Sequence, residues 1–176
     1  MRGLGISSES EYTIGEDEVM YVDWGVLYQH YFSDTGTTLA MTEPAGALAD
    51  RHAAVVDCMD AGIATLKPEA RSSEAHEAMW AVLSDRGVET AFPHGHGLGV
   101  EIRDYPIFVA NNGLRIKDDC VDEPSDVPLE EGMVVNLEAP IFMPDVGSLH
   151  NEQTFVITAE GCRQLVPQER SRPVIP

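Results

Sequence analysis

The segment of residues 22–34 constrains the fold more than any other part of this 176-residue sequence. It is rich in aromatic and β-branched residues, which favour strands, and it carries an aspartate near each end. A reversal around Tyr28 and Gln29 predicts a β-hairpin in which Asp23 directly faces Asp34. Directly opposed carboxylates project from one face about 5 Å apart and repel each other. We therefore expect a cation between them.

A second hairpin of the same kind is predicted near the carboxyl end. Residues 132–138 and 149–158 have the pattern of strands, and counting outward from Asp145 places Glu138 opposite Glu152 on one face. The two hairpins thus offer four carboxylates, which balance two dications in formal charge. Hard divalent cations prefer such oxygen ligands.

A glycine-rich segment lies between the two hairpins. Residues 93–101 read PHGHGLGVE, and these glycines allow the backbone to come close to a site. His96 is the expected nitrogen ligand from this segment, because a neutral imidazole is a common metal ligand. The sequence therefore predicts a carboxylate and histidine cage.

Two helices are predicted between the first hairpin and the glycine-rich segment. The first begins at Thr42 and Pro44 and carries apolar residues at steps of three and four up to the stop at Pro68. The second runs from Ser73, as its cap, to Gly87. The later residues 104–128 are expected to form a long polar connection at the edge of the pocket, and residues 1–15 a lead-in segment.

The composition argues against several classes of partner. Thirty acidic residues against eleven basic ones give a net charge of −19, which disfavours a nucleic acid or an anionic membrane surface. Cys58, Cys120 and Cys162 have no metal-binding spacing and indicate a reducing compartment. No signal peptide or membrane-length apolar run is recognised. We expect a cytoplasmic protein.

Several motifs together resemble a known family. In order they are VDWG, SDTG, GHGLG, LEEGMVVNLEAP and HNEQTFVITAEG, and they resemble the pita-bread (creatinase/aminopeptidase, Xaa-Pro peptidase-like) metallohydrolases over about residues 16–166. The resemblance implies an α+β pita-bread fold, with a curved antiparallel sheet and helices packed on its outer face. It implies that residues 16–176 are the carboxyl-terminal portion of the catalytic domain, without the family's upstream part.

The resemblance also implies the site and its cofactors. Two divalent ions, of manganese, cobalt, iron or zinc, would be held by five ligands: Asp23, Asp34, His96, Glu138 and Glu152. Glu138 would in addition carry a proton from the attacking water to the leaving group. His94 is the second candidate catalytic residue, and a plain loop residue is the alternative interpretation.

Three positions depart from the family pattern and bear on the substrate. The string IRD at 102–104 replaces a Val-His-Glu-like string, His150 stands where many proline-specific members have arginine, and Gly36 replaces a threonine. Arg103 and His150 are therefore the candidate substrate-binding residues. Arg103 is expected to face the metal pocket, and a surface salt bridge with a neighbouring acid is the alternative.

Three functions remain open. The favoured one is a metal-dependent hydrolase resembling Xaa-Pro aminopeptidase or dipeptidase, in which a dinuclear metal activates a water to hydrolyse an amide of a peptide. The second is a non-peptidase member acting on a small polar metabolite, similar to ectoine hydrolase, creatinase or the sulfonium lyases, with Arg103 holding a substrate carboxylate. The third is a non-catalytic or incomplete relic that binds a partner. The expected assembly is a homodimer or an association with the missing upstream segment.

Overall fold

The fold is taken from a computed structural model, which describes residues 11, 13–88, 93–111, 113, 115–118, 121–143, 147–171 and 173–175. The predicted lead-in of residues 1–15 lies mostly outside these residues. The elements are β1 Val19–Tyr28, β2 Tyr31–Ala40, α1 Ala47–Thr65, α2 Ser72–Asp85, β3 His94–Gly97, β4 Asp104–Phe108, β5 Arg115–Asp118, β6 Val121–Pro124, β7 Val134–Glu138, β8 Ile141–Met143, β9 Gly147–Leu149, β10 Glu152–Thr158 and β11 Gly161–Gln164.

One curled, almost wholly antiparallel sheet dominates this architecture. Its strand order is β4-β3-β7-β10-β2-β1-β9-β8. In addition, β11 pairs with residues 155–158 of β10. The single pairing of Val19 with Gly147, between β1 and β9, is parallel. The helices α1 and α2 pack against each other and against strands of the sheet, α1 on β7 and β9 and α2 on β3 and β4. The five strands that carry the predicted ligands are consecutive neighbours in the sheet.

The first hairpin forms as predicted, but its register is different. The chain reverses through Gln29 and His30, whose φ angles of 49° and 70° are both positive, as in the two-residue turns that match the twist of paired strands. Asp23 therefore pairs with Gly36, and the predicted direct pairing of Asp23 with Asp34 is wrong. A shift of two residues preserves the side-chain alternation, so the two aspartates remain on one face as diagonal neighbours.

The second hairpin has the predicted register. Glu138 pairs with Glu152 across β7 and β10. The β7–β10 pairing ends at this pair, and β8 and β9 form a separate ladder in which Ile141 pairs with Leu149. The predicted tip at Asp145 lies outside the described residues.

The cap of α2 differs from the prediction. Arg71, and not Ser73, is the N-cap, and the side chain of Glu74 accepts a hydrogen bond of 2.9 Å from the Arg71 backbone. Ser73 lies inside the first turn, where its backbone N–H donates to Asp126 Oδ1 at 3.0 Å. A distant carboxylate thus satisfies an orphan donor at the start of the helix. Gly87, with φ of 64°, follows the end of the helix as predicted.

The prediction of a polar connection over residues 104–128 is wrong in part. Residues Asp104–Phe108 form β4 and pair with β3, with Ile107 opposite His96. Phe108 is completely buried in the core. Further along, β5 and β6 form a separate two-stranded sheet. Pairing with β3 and burial of Phe108 in the core therefore make residues 104–108 a strand, although the polar composition of residues 104–128 predicts a loop.

The main core lies between the helices and the back of the sheet. The alternation of β7 and β10 sends Val135, Leu137, Phe155 and Ile157 into this core, whereas Glu138 and Glu152 project from the other face. Cys58 is buried on α1, and burial raises the pKa of its thiol to about 12. Neither described helix is long and apolar enough to cross a membrane.

We predict that Phe155→Ala lowers the free energy of unfolding by about 3–5 kcal/mol, because the ring is only 2% exposed and its loss leaves a cavity behind the site. Urea denaturation measures this change. Val166→Ala is the control, since Val166 is 72% exposed and its truncation should change stability by less than about 0.5 kcal/mol. Equal unfolding midpoints for the two variants would contradict the proposed core.

Candidate metal centre

Five neighbouring strands bring acidic and imidazole side chains to one face of the sheet. Residues two apart in a strand share a face, so each strand contributes one or two groups there. The structure brings together the predicted ligands and the two further histidines: Asp23 from β1, Asp34 from β2, His94 and His96 from β3, Glu138 from β7, His150 just before β10, and Glu152 from β10.

His96 has the orientation of a metal-ligating imidazole. Its Nε2 lies 3.6 Å from Asp34 Oδ2 and 3.6 Å from Glu138 Oε1. Its Nδ1 is 2.9 Å from the carbonyl oxygen of Gly97, to which it donates when protonated. Such a bond fixes the tautomer and turns the lone pair of the other nitrogen towards the carboxylates. Asp34, His96 and Glu152 have donor atoms within 4.8 Å of one another.

A second group of donors shares Glu152 with the first. Donor atoms of Asp23, His150 and Glu152 also lie within 4.8 Å of one another. His150 Nε2 is 3.0 Å from Glu152 Oε2, and both side chains are buried. Asp23 is exposed, so this second group opens towards solvent.

The electrostatics of these groups favour a bound cation. Burial, followed by the charges of Glu138, Asp34 and Asp23, raises the pKa of Glu152 to about 10. Burial and the charge of Asp23 likewise raise the pKa of Asp34 above its usual range. Dications would relieve this repulsion and keep the carboxylates ionised. The donor set of carboxylate oxygens and neutral imidazoles therefore fits divalent transition metals.

Glu138 has a contrasting environment because His94 is its partner. His94 lies opposite Glu138 in the sheet, and its Nε2 is 2.6 Å from Glu138 Oε1. Burial by itself would raise the pKa of Glu138. The hydrogen bond and charge of His94, with smaller contributions from His150 and His96, outweigh that effect and lower the pKa below its usual value. The pKa of Glu138 is thus lowered, whereas the pKa values of Asp34 and Glu152 are raised.

Arg103 lies at the mouth of the site. Its Nη2 is 3.6 Å from Glu138 Oε1, and the side chain is 56% exposed. His150, the other predicted substrate contact, is only 3% exposed and faces Glu152. The two residues therefore occupy different environments, one at the entrance and one among the carboxylates.

Several supporting residues were missed or undervalued by the sequence reasoning. Asn136 Nδ2 donates to Glu152 Oε1 at 2.9 Å, and Thr154 Oγ1 donates to the Asp34 carbonyl at 2.9 Å. Thr38 contacts the backbone of His150 through its hydroxyl, which accepts from the amide N–H and donates to the carbonyl oxygen. The available signal was strand alternation, because Thr38 follows Asp34 by four residues on the same face.

A curled antiparallel sheet that presents carboxylates and imidazoles from neighbouring strands is the arrangement that the resemblance to pita-bread metallohydrolases implied. The model of metallopeptidase family M24 matches residues 5–159, and the chain therefore belongs to that family.

Curated relatives agree with this assignment. The chain is 27% identical over 168 residues to a Xaa-Pro dipeptidase of Pyrococcus horikoshii. This match covers 94% of this chain and 44% of the relative. It is 30% identical over 163 residues to an uncharacterised peptidase of Bacillus subtilis, with 92% and 42% covered. The chain thus spans less than half the length of these relatives.

Solved structures share the fold. The prolidase of Pyrococcus horikoshii superposes with a TM-score of 0.82 at 27% identity, over 97% of this chain and 46% of that one. The dipeptidase PepE of Mycobacterium ulcerans also gives a TM-score of 0.82, at 24% identity, over 95% and 42%. The predicted pita-bread fold is confirmed, and this chain matches a part of each of those molecules.

The raised pKa of Glu152 predicts that the metal-free protein loses stability as pH rises. Between its ordinary value of 4.5 and about 10, the folded protein keeps a proton that the unfolded chain has released. Unfolding is therefore favoured by increasing pH across this window, by at most about 1.4 kcal/mol per pH unit for one proton. Urea unfolding in the presence of a chelator, at several pH values, measures the slope.

Glu152→Gln should flatten this dependence, because the amide does not titrate. Glu160→Gln, in the exposed turn after β10, is the matched control and should keep the wild-type slope. A wild-type slope in Glu152→Gln would show that another group causes the effect.

Proposed function

We propose that this chain carries the metal centre of a Xaa-Pro-type metallopeptidase and hydrolyses an amide bond with two divalent cations. The observation that supports this most is the pair of donor groups, Asp23 with His150 and Asp34 with His96, that share Glu152. Membership of the family and the dipeptidase relatives agree with the reaction class. The chain spans under half the length of those relatives, so the proposal concerns only the roles of residues that this chain contains.

The proposed ligands are Asp23, Asp34, His96, Glu138 and Glu152. Divalent cations held there would polarise a substrate carbonyl and make a water nucleophilic near neutral pH. Manganese is the first ion to test, with cobalt, iron and zinc as the others that suit mixed oxygen and nitrogen donors. We further propose a cytoplasmic protein that acts as a homodimer or together with a further segment of the family domain.

Proton transfer is assigned to Glu138, supported by His94. The lowered pKa of Glu138 keeps its carboxylate ionised at neutral pH, as a general base requires. It would accept a proton from the attacking water and deliver it to the departing amine. The hydrogen bond of 2.6 Å from His94 holds the carboxylate in place and stabilises its charge during this cycle.

Substrate binding is assigned to Arg103. Its guanidinium is exposed at the mouth yet within 3.6 Å of Glu138, so a ligand that reaches the site passes it. A guanidinium binds a carboxylate through two parallel hydrogen bonds. This favours a short substrate with a free carboxylate close to the cleaved bond. A dipeptide fits that description, and a small carboxylated metabolite is the second candidate that Arg103 supports.

Glu138→Gln should lower turnover of a Xaa-Pro dipeptide by on the order of 10² or more, because an amide cannot carry the proton. Metal content should fall much less, since the amide oxygen still coordinates. Steady-state kinetics and metal analysis on the same manganese-loaded sample test this. His96→Ala, which leaves no donor atom at this position, is the comparison and should lose metal and turnover together.

Two results would count against these assignments. Equal losses of metal and turnover in Glu138→Gln would remove the proton-transfer role. A manganese-loaded wild-type chain without activity on dipeptides or on small carboxylated amides would contradict the proposed function itself.

Arg103→Ala should raise the Michaelis constant for a substrate with a free carboxylate by on the order of tenfold, with little change in turnover, as for a group that binds ground state and transition state alike. The carboxamide analogue of the same substrate should show little change. Arg115→Ala, an exposed arginine paired with Asp122 in the separate small sheet, is the matched control. If Arg103→Ala affects both analogues equally, the carboxylate contact is wrong.

A further inference from the structure

Gly36 leaves room that the ring of His150 fills. A Cβ atom placed on Gly36 would lie 2.2 Å from His150 Cδ2, 2.5 Å from its Nε2 and 2.7 Å from Glu152 Oε2. Real side chains do not approach so closely, so the imidazole occupies the space that any side chain at position 36 would need. Gly36 pairs with Asp23 on one side and Glu152 on the other, which places this ring between the two carboxylates.

We propose that His150 Nε2 is a direct nitrogen ligand of the cation on the Asp23 side of the site. This inference rests on the proposed function and replaces the substrate contact expected from the sequence. Each half of the centre would then have one aspartate and one histidine, Asp23 with His150 and Asp34 with His96, and the halves would share Glu152. His150 is thus the counterpart of His96 in the second half.

The spacing of the donor atoms agrees with coordination. His150 Nε2 and Glu152 Oε2 are 3.0 Å apart. Two donors that each lie about 2.1 Å from one ion are separated by about 3.4 Å at a tetrahedral angle and by about 3.0 Å at a right angle. The same distance suits a hydrogen bond in the absence of an ion, so binding would require only loss of that proton and no movement of the ring.

The surroundings hold the ring rigidly and away from substrate. The Thr38 hydroxyl bonds to both the amide N–H and the carbonyl of His150, at 2.8 and 2.9 Å. The ring of Tyr21 contacts the imidazole in a tilted arrangement, with centroids 5.3 Å apart. His150 is 3% exposed, in contrast to Arg103 at the mouth. A buried, fixed imidazole suits a ligand better than a contact with an incoming substrate.

The ligand role also has a consequence for the choice of metal. Imidazole nitrogen suits zinc, iron and related transition metals, whereas oxygen-only sites suit magnesium, calcium and manganese. A nitrogen donor in both halves would make both positions favour cobalt or zinc over magnesium. The unpartnered Nδ1 of His150, buried among the described residues, would carry a proton that is shielded from solvent.

Cobalt(II) and proton NMR test this inference with the whole chain. Each imidazole bound to cobalt gives one strongly shifted, exchangeable N–H resonance from its other ring nitrogen. We expect two such resonances when two cobalt ions are bound, from His96 and His150. This count requires no variant, and it does not depend on activity.

Three variants assign the second resonance. His150→Gln should remove one resonance and raise one cobalt dissociation constant by at least about tenfold. Even the loss of a residue that only supports a ligand lowers metal affinity by about tenfold. Gly36→Ala should do the same by displacing the ring, and it should add little in a protein that already carries His150→Gln. His30→Asn, in the exposed hairpin turn, is the control and should keep both resonances.

The outcomes separate this inference from the proposed function. A wild-type protein that shows a single shifted resonance, retained in His150→Gln with unchanged cobalt affinity, would overturn the ligand role of His150 alone. A wild-type protein that binds no cobalt would overturn the proposed function and this inference together.

Discussion

The mutual repulsion of buried carboxylates on one face of a curled sheet is the constraint on which the rest of this structure depends. Glu152 is the centre of it, because burial and the charges of Glu138, Asp34 and Asp23 all raise its pKa. The imidazoles of His96 and His150 and the amide of Asn136 are arranged around these oxygens. Such a group of donors is costly without a cation and favourable with one. The face is therefore preorganised for metal.

The opposite face of the same strands supplies the stability that this arrangement requires. Alternation along β7 and β10 places Leu137 and Phe155 in the core beneath the helices, directly behind the acidic side chains. The strands are thereby held at fixed spacing while carboxylates repel on the front. The sheet is also closely packed at its glycines, since a Cβ on Gly95 would lie 2.3 Å from the Asn136 carbonyl. A side chain at position 95 would therefore collide with β7 and with the core.

The proposed ligands and the proposed catalytic residues lie together within this chain. Its 176 residues include every ligand type that the motifs imply, yet they span only 44% of the dipeptidase relative from Pyrococcus horikoshii. The proposed catalytic pair, Glu138 with His94, lies wholly on strands of this chain. Arg103 and His150 distinguish the site from the expected pattern, one at its entrance and one in its interior. The proposed roles therefore assign substrate choice to Arg103 and metal choice to His150.

The sequence by itself determined the elements, because helix and strand patterns and turn residues act locally: two helices, two hairpins, and the pairing of Glu138 with Glu152. It also indicated which residue types meet, since alternation fixes the face of each side chain. Tertiary structure decided what depends on distant partners. Asp126, far from α2 in sequence, accepts the Ser73 N–H at the start of that helix, and the space at Gly36 admits the His150 ring. Both outcomes depend on packing between segments far apart in sequence, which local patterns do not encode. The register of the first hairpin, in contrast, depends on the backbone conformation of its two-residue turn at Gln29 and His30, which the composition of the strands does not specify.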